Sequence, residues 1–221
     1  SFSSINQAYA DSLNWYTPFE NAETSIPVLL SQSSHALVSY SEEEKISIRE
    51  IFTDWSDASG INFLEVEDSA ESYGEIRLFQ MDFGAWQSVD PSLFDPDSTA
   101  AFAFLPGQVS ELDELEGDIF LNSIYNPGDG WFEHTVSHEL GHAIGLQHPQ
   151  DGPEVYSYIA STSADQTDKS IMAYDIGGEF EYFVGETPMP LDIEVIEWLY
   201  GGKNDVRIED SLYQPNADFN Q

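Results

Sequence analysis

His138, Glu139, His142, Gly145 and His148 stand at the spacing H-E-x-x-H-x-x-G-x-x-H. On an α-helix, residues four apart share a face and lie about 6 Å apart along the axis, so the imidazoles of His138 and His142 can converge on one ion. Glu139, one position on, points to the flank of such a site, where a carboxylate can hold a water and take its proton. A continuing helix would carry position 148 to the wrong rotation, so the chain must turn first. Gly145 tolerates the positive φ that such a turn needs. His148 then completes a three-histidine face and leaves a fourth position open, the arrangement of a catalytic rather than a structural zinc site. Five specified positions at a few per cent each make a chance match on the order of one in 100,000 for a chain of this length. Three of the five histidines stand in this pattern. His134, one turn before His138, is close enough to touch the site from behind but reads as a packing or solvent-facing residue, and His35 as an ordinary one.

The motif needs a helix, and from Trp131 a helical pattern runs to about Ile144, preceded by the turn Gly128, Asp129, Gly130, whose Asp or Gly can cap it. Upstream, Ser41 with Glu44 three residues on forms a capping box. Ile46, Ile48, Ile51, Phe52 and Trp55 supply the apolar stripe of a helix that Gly60 ends. Residues Ser1 to Trp15 read as a short amphipathic helix through Ile5, Ala8, Tyr9 and Leu13, followed by a loop to about Pro27. Ile61 to Val66, Ile76 to Gln80, Ala100 to Leu105 and Asp118 to Asn122 read as strands of one sheet. Beyond His148 the sequence is loop-rich to about Val184. Pro190 then opens a last helix with Leu191, Ile193, Val195, Ile196, Trp198 and Leu199, stopped by Gly201 and Gly202.

The extended motif resembles that of the metzincin zinc endopeptidases, and Ser170, Ile171, Met172, Ala173 and Tyr174 resemble the tight methionine turn that marks the clan. Pro149 after the third histidine resembles the serralysin branch. The resemblance implies one catalytic Zn2+ held by His138, His142 and His148, with Tyr174 as an additional, displaceable ligand that then stabilises the oxyanion, and Met172 as support from below. Phe104 to Gly107 and Gly117 to Asn122 are similar to the family's edge strand with its exit and to the strand that follows. The stretch Ala101, Phe102, Ala103, Phe104 and Leu105 would therefore bind extended peptide by strand addition. The implied fold is α+β: a bilobed domain with a twisted five-stranded, mostly parallel sheet, two long helices, and an irregular lower lobe carrying the methionine turn and a C-terminal helix. Residues 1–202 are expected to form this catalytic domain, its upper lobe reaching to about 148 and its lower lobe spanning 149–202. Residues 203–221 are expected to be a linker or the start of a further domain. Serralysins also carry calcium-binding nonapeptide repeats. None occurs in this sequence, so calcium is left without a motif.

Composition bounds what this site can serve. The 221 residues carry 6 Lys+Arg against 41 Asp+Glu, a formal charge of −35, which excludes nucleic acid and anionic membrane surfaces as partners. Hydrophobic residues make up 41% and aromatics 14%, enough for a core, so the charge is not that of a disordered tail. Such self-repulsion needs screening, and a secreted, bacterial, halotolerant protein in a saline setting is expected, working as a monomer on protein or peptide substrates. The acidic clusters Glu42 to Glu44 and Glu111, Asp113, Glu114, Glu116 lack EF-hand spacing and read as solvated surface. With no cysteine, disulfides, thiolate zinc sites and a cysteine nucleophile are excluded together. The chain starts at Ser1 without a signal-like segment, so an upstream portion is expected to have been removed. Two other readings stand beside the serralysin-like protease. One is a catalytically silent metal-binding or adhesive module, which would have no use for Glu139; the other is an astacin- or matrixin-like branch, of which the disulfide-bearing astacins suit this sequence least.

Overall fold

Ser41 opens the first long helix, α1 (Glu42–Ser59), through a reciprocal cap. Its hydroxyl accepts from the Glu44 amide at 3.2 Å, and the Glu44 carboxylate accepts from the Ser41 amide at 2.6 Å. Gly60 ends the helix in the left-handed region at φ 76°, donating its N–H to Ser56. The computed structural model describes residues 13–16 by backbone alone, and residues 36–66, 75–86, 95, 97–106, 115–124, 130–149, 167–174 and 185–200. Within these, α1 buries Ile48, Ile51, Phe52 and Trp55, spaced to share one helical face. Ile46 falls off that stripe and is exposed, contrary to the periodicity reading.

The remaining helices are α2 (Phe83–Trp86), α3 (Trp131–Ala143) and α4 (Pro190–Tyr200). The strands are β1 (Leu13–Tyr16), β2 (Phe63–Glu65), β3 (Ile76–Met81), β4 (Ala101–Ala103) and β5 (Ile119–Asn122). They lie in the order β2-β1-β3-β5-β4. All neighbours run parallel except β4, which is antiparallel to β5 and forms one of the two outer strands, the other being β2.

Leu13–Tyr16 is a strand, which corrects the helix expected up to Trp15; residues 1–12 lie outside the described part. The pairs Leu13↔Phe63 and Trp15↔Ile76 place β1 between β2 and β3. Aromatic residues suit such a position, and two flanking ladders outweigh a local helical pattern. The strand expected over Ala100 to Leu105 is also shorter. Phe104 leaves β4, although its amide donates to Asp118 and its carbonyl accepts from Gly117. Leu105 likewise lies beyond the strand.

The sheet separates two apolar clusters. Alternate side chains of β3 and β5, such as Leu78, Ile119 and Leu121, join α1, α3 and Ile196 of α4 in the larger one, against which Ala101 and Ala103 pack. Phe79, Phe83 and Phe120, with Phe102 against them, form the second, the Phe79 and Phe120 rings stacked at 5.1 Å. Buried on both sides, β3 still carries Arg77 and Gln80, and each is satisfied. Arg77 meets Asp118 through two bonds, and Gln80 donates to Glu44 at 2.6 Å. Trp55, wholly buried, fixes α1 to α3 by donating its indole N–H to Ser137 Oγ at 2.9 Å. A large side chain of this kind contributes about 3–5 kcal/mol measured by truncation. In α4, Ile196 is buried but Trp198 is exposed, so the apolar run there is only partly core. The clusters at 111–114, the turn at 151–152, His35, Gly201, Gly202 and the tail from 203 lie outside the described residues.

Candidate metal centre and active site

The sheet and α1 hold α3 so firmly that every residue from Thr135 to Ala143 is buried. The helix begins at Gly130 with no side-chain cap. It ends at Ile144, after which Gly145 takes φ 104° and turns the chain. His148 thereby returns to the helix face. Its Nε2 lies 3.2 Å from that of His138 and 3.0 Å from that of His142. These residues form the one group of three His, Cys, Asp or Glu side chains among the described residues whose ligand atoms gather closely enough for an ion.

The protonation of two of these rings is dictated by their other nitrogen. His138 Nδ1 faces the Ile171 carbonyl at 2.7 Å and His142 Nδ1 faces the Leu146 carbonyl at 2.8 Å. Carbonyls only accept, so both Nδ1 atoms carry hydrogen and both Nε2 atoms present lone pairs. His148 can share at most one proton between them. Three nitrogens crowded in this way call for a cation. A tetrahedral zinc with bonds of about 2.0–2.1 Å has ligand–ligand edges of about 3.3–3.4 Å, close to the two separations from His148, and all three ligand atoms lie within 4.8 Å of one another. The residues therefore fit zinc. Burial, then the neighbouring His142, pushes His138 well below its ordinary range, which keeps it neutral as a ligand must be.

Glu139 is buried beside this cluster, and its Oε2 has no hydrogen-bond partner. Desolvation pushes its carboxyl up to about 8. A nearby dication acts in the opposite direction, and the two together suit a base working near neutral pH. Tyr174 is exposed, yet its ring stacks on His138 at 5.5 Å and leans on His148 at 4.4 Å. Met172 is buried beneath α3: a Cβ at Gly141 would fall 2.5 Å from its sulfur. A larger residue at Gly141 would have to push the methionine side chain aside.

Asp192, on the first turn of α4, is a residue that pattern reading passed over. Its buried carboxylate accepts from Ser170 Oγ at 2.7 Å and from the amides of Ile171 and Met189 at 2.8 Å each. Burial raises its pKa against the lowering effect of these bonds. The backbone of Ile171 joins Asp192 to His138, since its N–H serves one and its carbonyl the other. An acidic residue after Pro190 looks in sequence like ordinary first-turn charge. At the other end of α4, Tyr200 donates to the Ile144 carbonyl at 2.7 Å and steadies the turn at Gly145. His134 is half-buried rather than solvent-facing, its Nδ1 2.7 Å from the Gly185 carbonyl, and burial lowers its pKa. Ala101, Phe102 and Ala103 lie on the outer strand β4.

Comparison with known proteins agrees with this geometry. The sequence model of peptidase family M10, described as matrixin, matches residues 28–178, more than half of the chain. Serralysin of Photorhabdus laumondii is 27% identical over 216 residues, covering 91% of this chain and 41% of its own. Serralysins B and C of Dickeya chrysanthemi are 29% and 31% identical over 80% and 74% of this chain. The chain spans about two fifths of the length of the curated relatives it matches.

Proposed function

The chain belongs to the matrixin family of peptidases, and from that premise we infer that it is a zinc endopeptidase hydrolysing peptide bonds in proteins, with Glu139 as general base. The observation that carries this reading is the convergence of three imidazole nitrogens, two with their tautomers set by backbone carbonyls, beside a buried, unpartnered carboxylate. His138, His142 and His148 would hold the ion. Zinc, when bound, supplies Lewis acidity that polarises a peptide carbonyl and lowers the pKa of water towards 7.

The protein's own groups do the rest. Glu139 takes the proton of the attacking water through Oε2 and returns it to the leaving amine. Its burial keeps the proton from bulk solvent during the transfer. Tyr174, whose ring lies along those of His138 and His148, would serve as a displaceable ligand and, once aside, donate its O–H to the developing oxyanion. Met172 fills the space beneath the helix that bears the ligands. Substrate adds to β4 as an extended strand, the main chain of Ala101 to Ala103 supplying affinity with little side-chain selection.

The catalytic unit is residues 1–202, an upper lobe reaching to about 148 and a lower lobe spanning 149–202. Its substrates are flexible proteins or peptides, and it works as a secreted monomer in saline surroundings; the charge of −35 and the need to screen it support that setting. Among the described residues no helix is long and apolar enough to cross a membrane.

Casein cleavage tests the function: untreated protein cleaves, chelator-treated protein does not, and added zinc restores it. Glu139→Ala is expected to bind one zinc per chain and cleave nothing. A wild-type chain that binds zinc and leaves casein intact would refute the endopeptidase reading in favour of a silent metal-binding module.

A further inference from the structure

His134 and His138 stand four residues apart on α3 and do the same thing with the same atom. Each points Nδ1 at a backbone carbonyl at 2.7 Å, His138 at Ile171 and His134 at Gly185. They differ at the other nitrogen, because His134 is not in the group that can hold the ion. Its ring instead lies against that of His138, the centroids 5.9 Å apart and the planes tilted by 44°, and meets Trp131 nearly edge-on at 6.1 Å.

Gly185 is buried, and the chain runs from it directly into α4. Four residues later the Met189 amide donates to Asp192, the carboxylate that also binds the Ile171 amide. The contacts therefore close a ring: His134 to Gly185, along the chain to Met189, through Asp192 to Ile171, and back to α3 at His138. A second contact seats the same segment on the first turn of α3, where Glu186 Oε1 lies 3.4 Å from the point a Cβ of Gly130 would occupy.

One hydrogen bond leaves this face of the helix free to swivel about its acceptor, whereas a second bond one turn away on the same face removes that swivel. The placing of His138 Nε2 against the other two histidines depends on it. We propose that His134 is a positioning residue for the zinc site, tying α3 to the 185–189 segment through Gly185 and holding the His138 ring in its ligating direction. It does not bind the metal. This inference rests on the zinc endopeptidase reading above.

The test compares His134→Leu, which keeps bulk and loses the donor, with His134→Asn, whose amide nitrogen takes the place of Nδ1 and can still donate to the Gly185 carbonyl. Ser47→Ala serves as the control, since it removes a different tie to α3, the bond from Ser47 Oγ to Glu133. For each protein the zinc dissociation constant is measured by chelator competition well below the melting temperature, where lost stability alone leaves affinity unchanged.

His134→Leu is expected to bind zinc about tenfold more weakly, in the range found for groups that orient metal ligands. His134→Asn is expected to come back to within about twofold of wild type, and Ser47→Ala to leave affinity unchanged. Wild-type affinity in His134→Leu, failure of His134→Asn to recover, or an equal loss in Ser47→Ala would overturn the proposal. A wild-type chain that binds no zinc would refute the functional reading itself.

Discussion

Glu139 is expected to make the zinc-free protein less stable as pH rises, and replacing it by glutamine should remove that dependence. The structure supplies the magnitude: burial moves the carboxyl from an ordinary 4.5 to about 8, with no hydrogen bond at Oε2 to offset it. A carboxyl whose pKa is raised on folding keeps its proton in the native state after the unfolded chain has lost its own. Its cost is absent below about pH 4.5, grows between there and about 8, and is constant above. At about 1.4 kcal/mol per pH unit, the difference between pH 5 and pH 8 is roughly 3–4 kcal/mol. Other groups titrate in the same window. His138, with its lowered pKa, gains stability as pH rises towards its ordinary value, and the overall negative charge works against compactness. Both are common to wild type and Glu139→Gln, so the difference between the two proteins isolates the carboxyl. The assay is urea unfolding of both, stripped of metal, at pH 5, 6, 7 and 8. Glu139→Gln should be close to wild type at pH 5 and more stable by roughly 3–4 kcal/mol at pH 8. Parallel pH profiles would show that water or a moving neighbour solvates the carboxyl, and would refute its role as a desolvated base.

Asp192→Ala should cost about 3–5 kcal/mol in urea unfolding, because it strips the acceptor from Ser170 Oγ and from the amides of Ile171 and Met189 at once. Gly141→Ala should lose about 1–3 kcal/mol through the clash with the Met172 sulfur, and Met172→Ala should recover part of that in a double-mutant cycle. Tyr174→Phe should lower kcat on a peptide substrate about 10- to 100-fold with zinc stoichiometry and KM unchanged, as expected for a group acting only in the transition state. Stripping zinc should lower the melting temperature, and titrating it back should raise it with the logarithm of free zinc; a flat titration would rule out a native-state site.

How much of this was legible beforehand depended on the range of the interaction. The limits of α1 and α3, the capping box at Ser41 and Glu44, the turns at Gly60 and Gly145, and the facing of His138 towards His142 follow from contacts within a few residues. So did the chemistry of the ligand set. At Leu13 to Trp15 a strand stands where the spacing of Ile5, Ala8, Tyr9 and Leu13 predicts helix, because that spacing is a local pattern, whereas β1 exists through its pairing with a strand some fifty residues away. Ile46 and Trp198 were misread because an apolar residue enters a stripe by type but is buried only if something covers it.

The sequence by itself therefore determined the helix that carries His138, Glu139 and His142 and the common face of its two histidines, since spacing on one helix is enough to place side chains on a common face. Only the tertiary structure decided the properties that make these residues work together. The Ile171 carbonyl that sets the His138 tautomer lies 33 positions away, and the Gly185 carbonyl that holds His134 lies 51 away. The burial that raises the Glu139 pKa depends on the whole core around α3. Local periodicity specifies direction along one element, while protonation, desolvation and the close approach of Met172 to Gly141 arise only when separate elements are packed against one another.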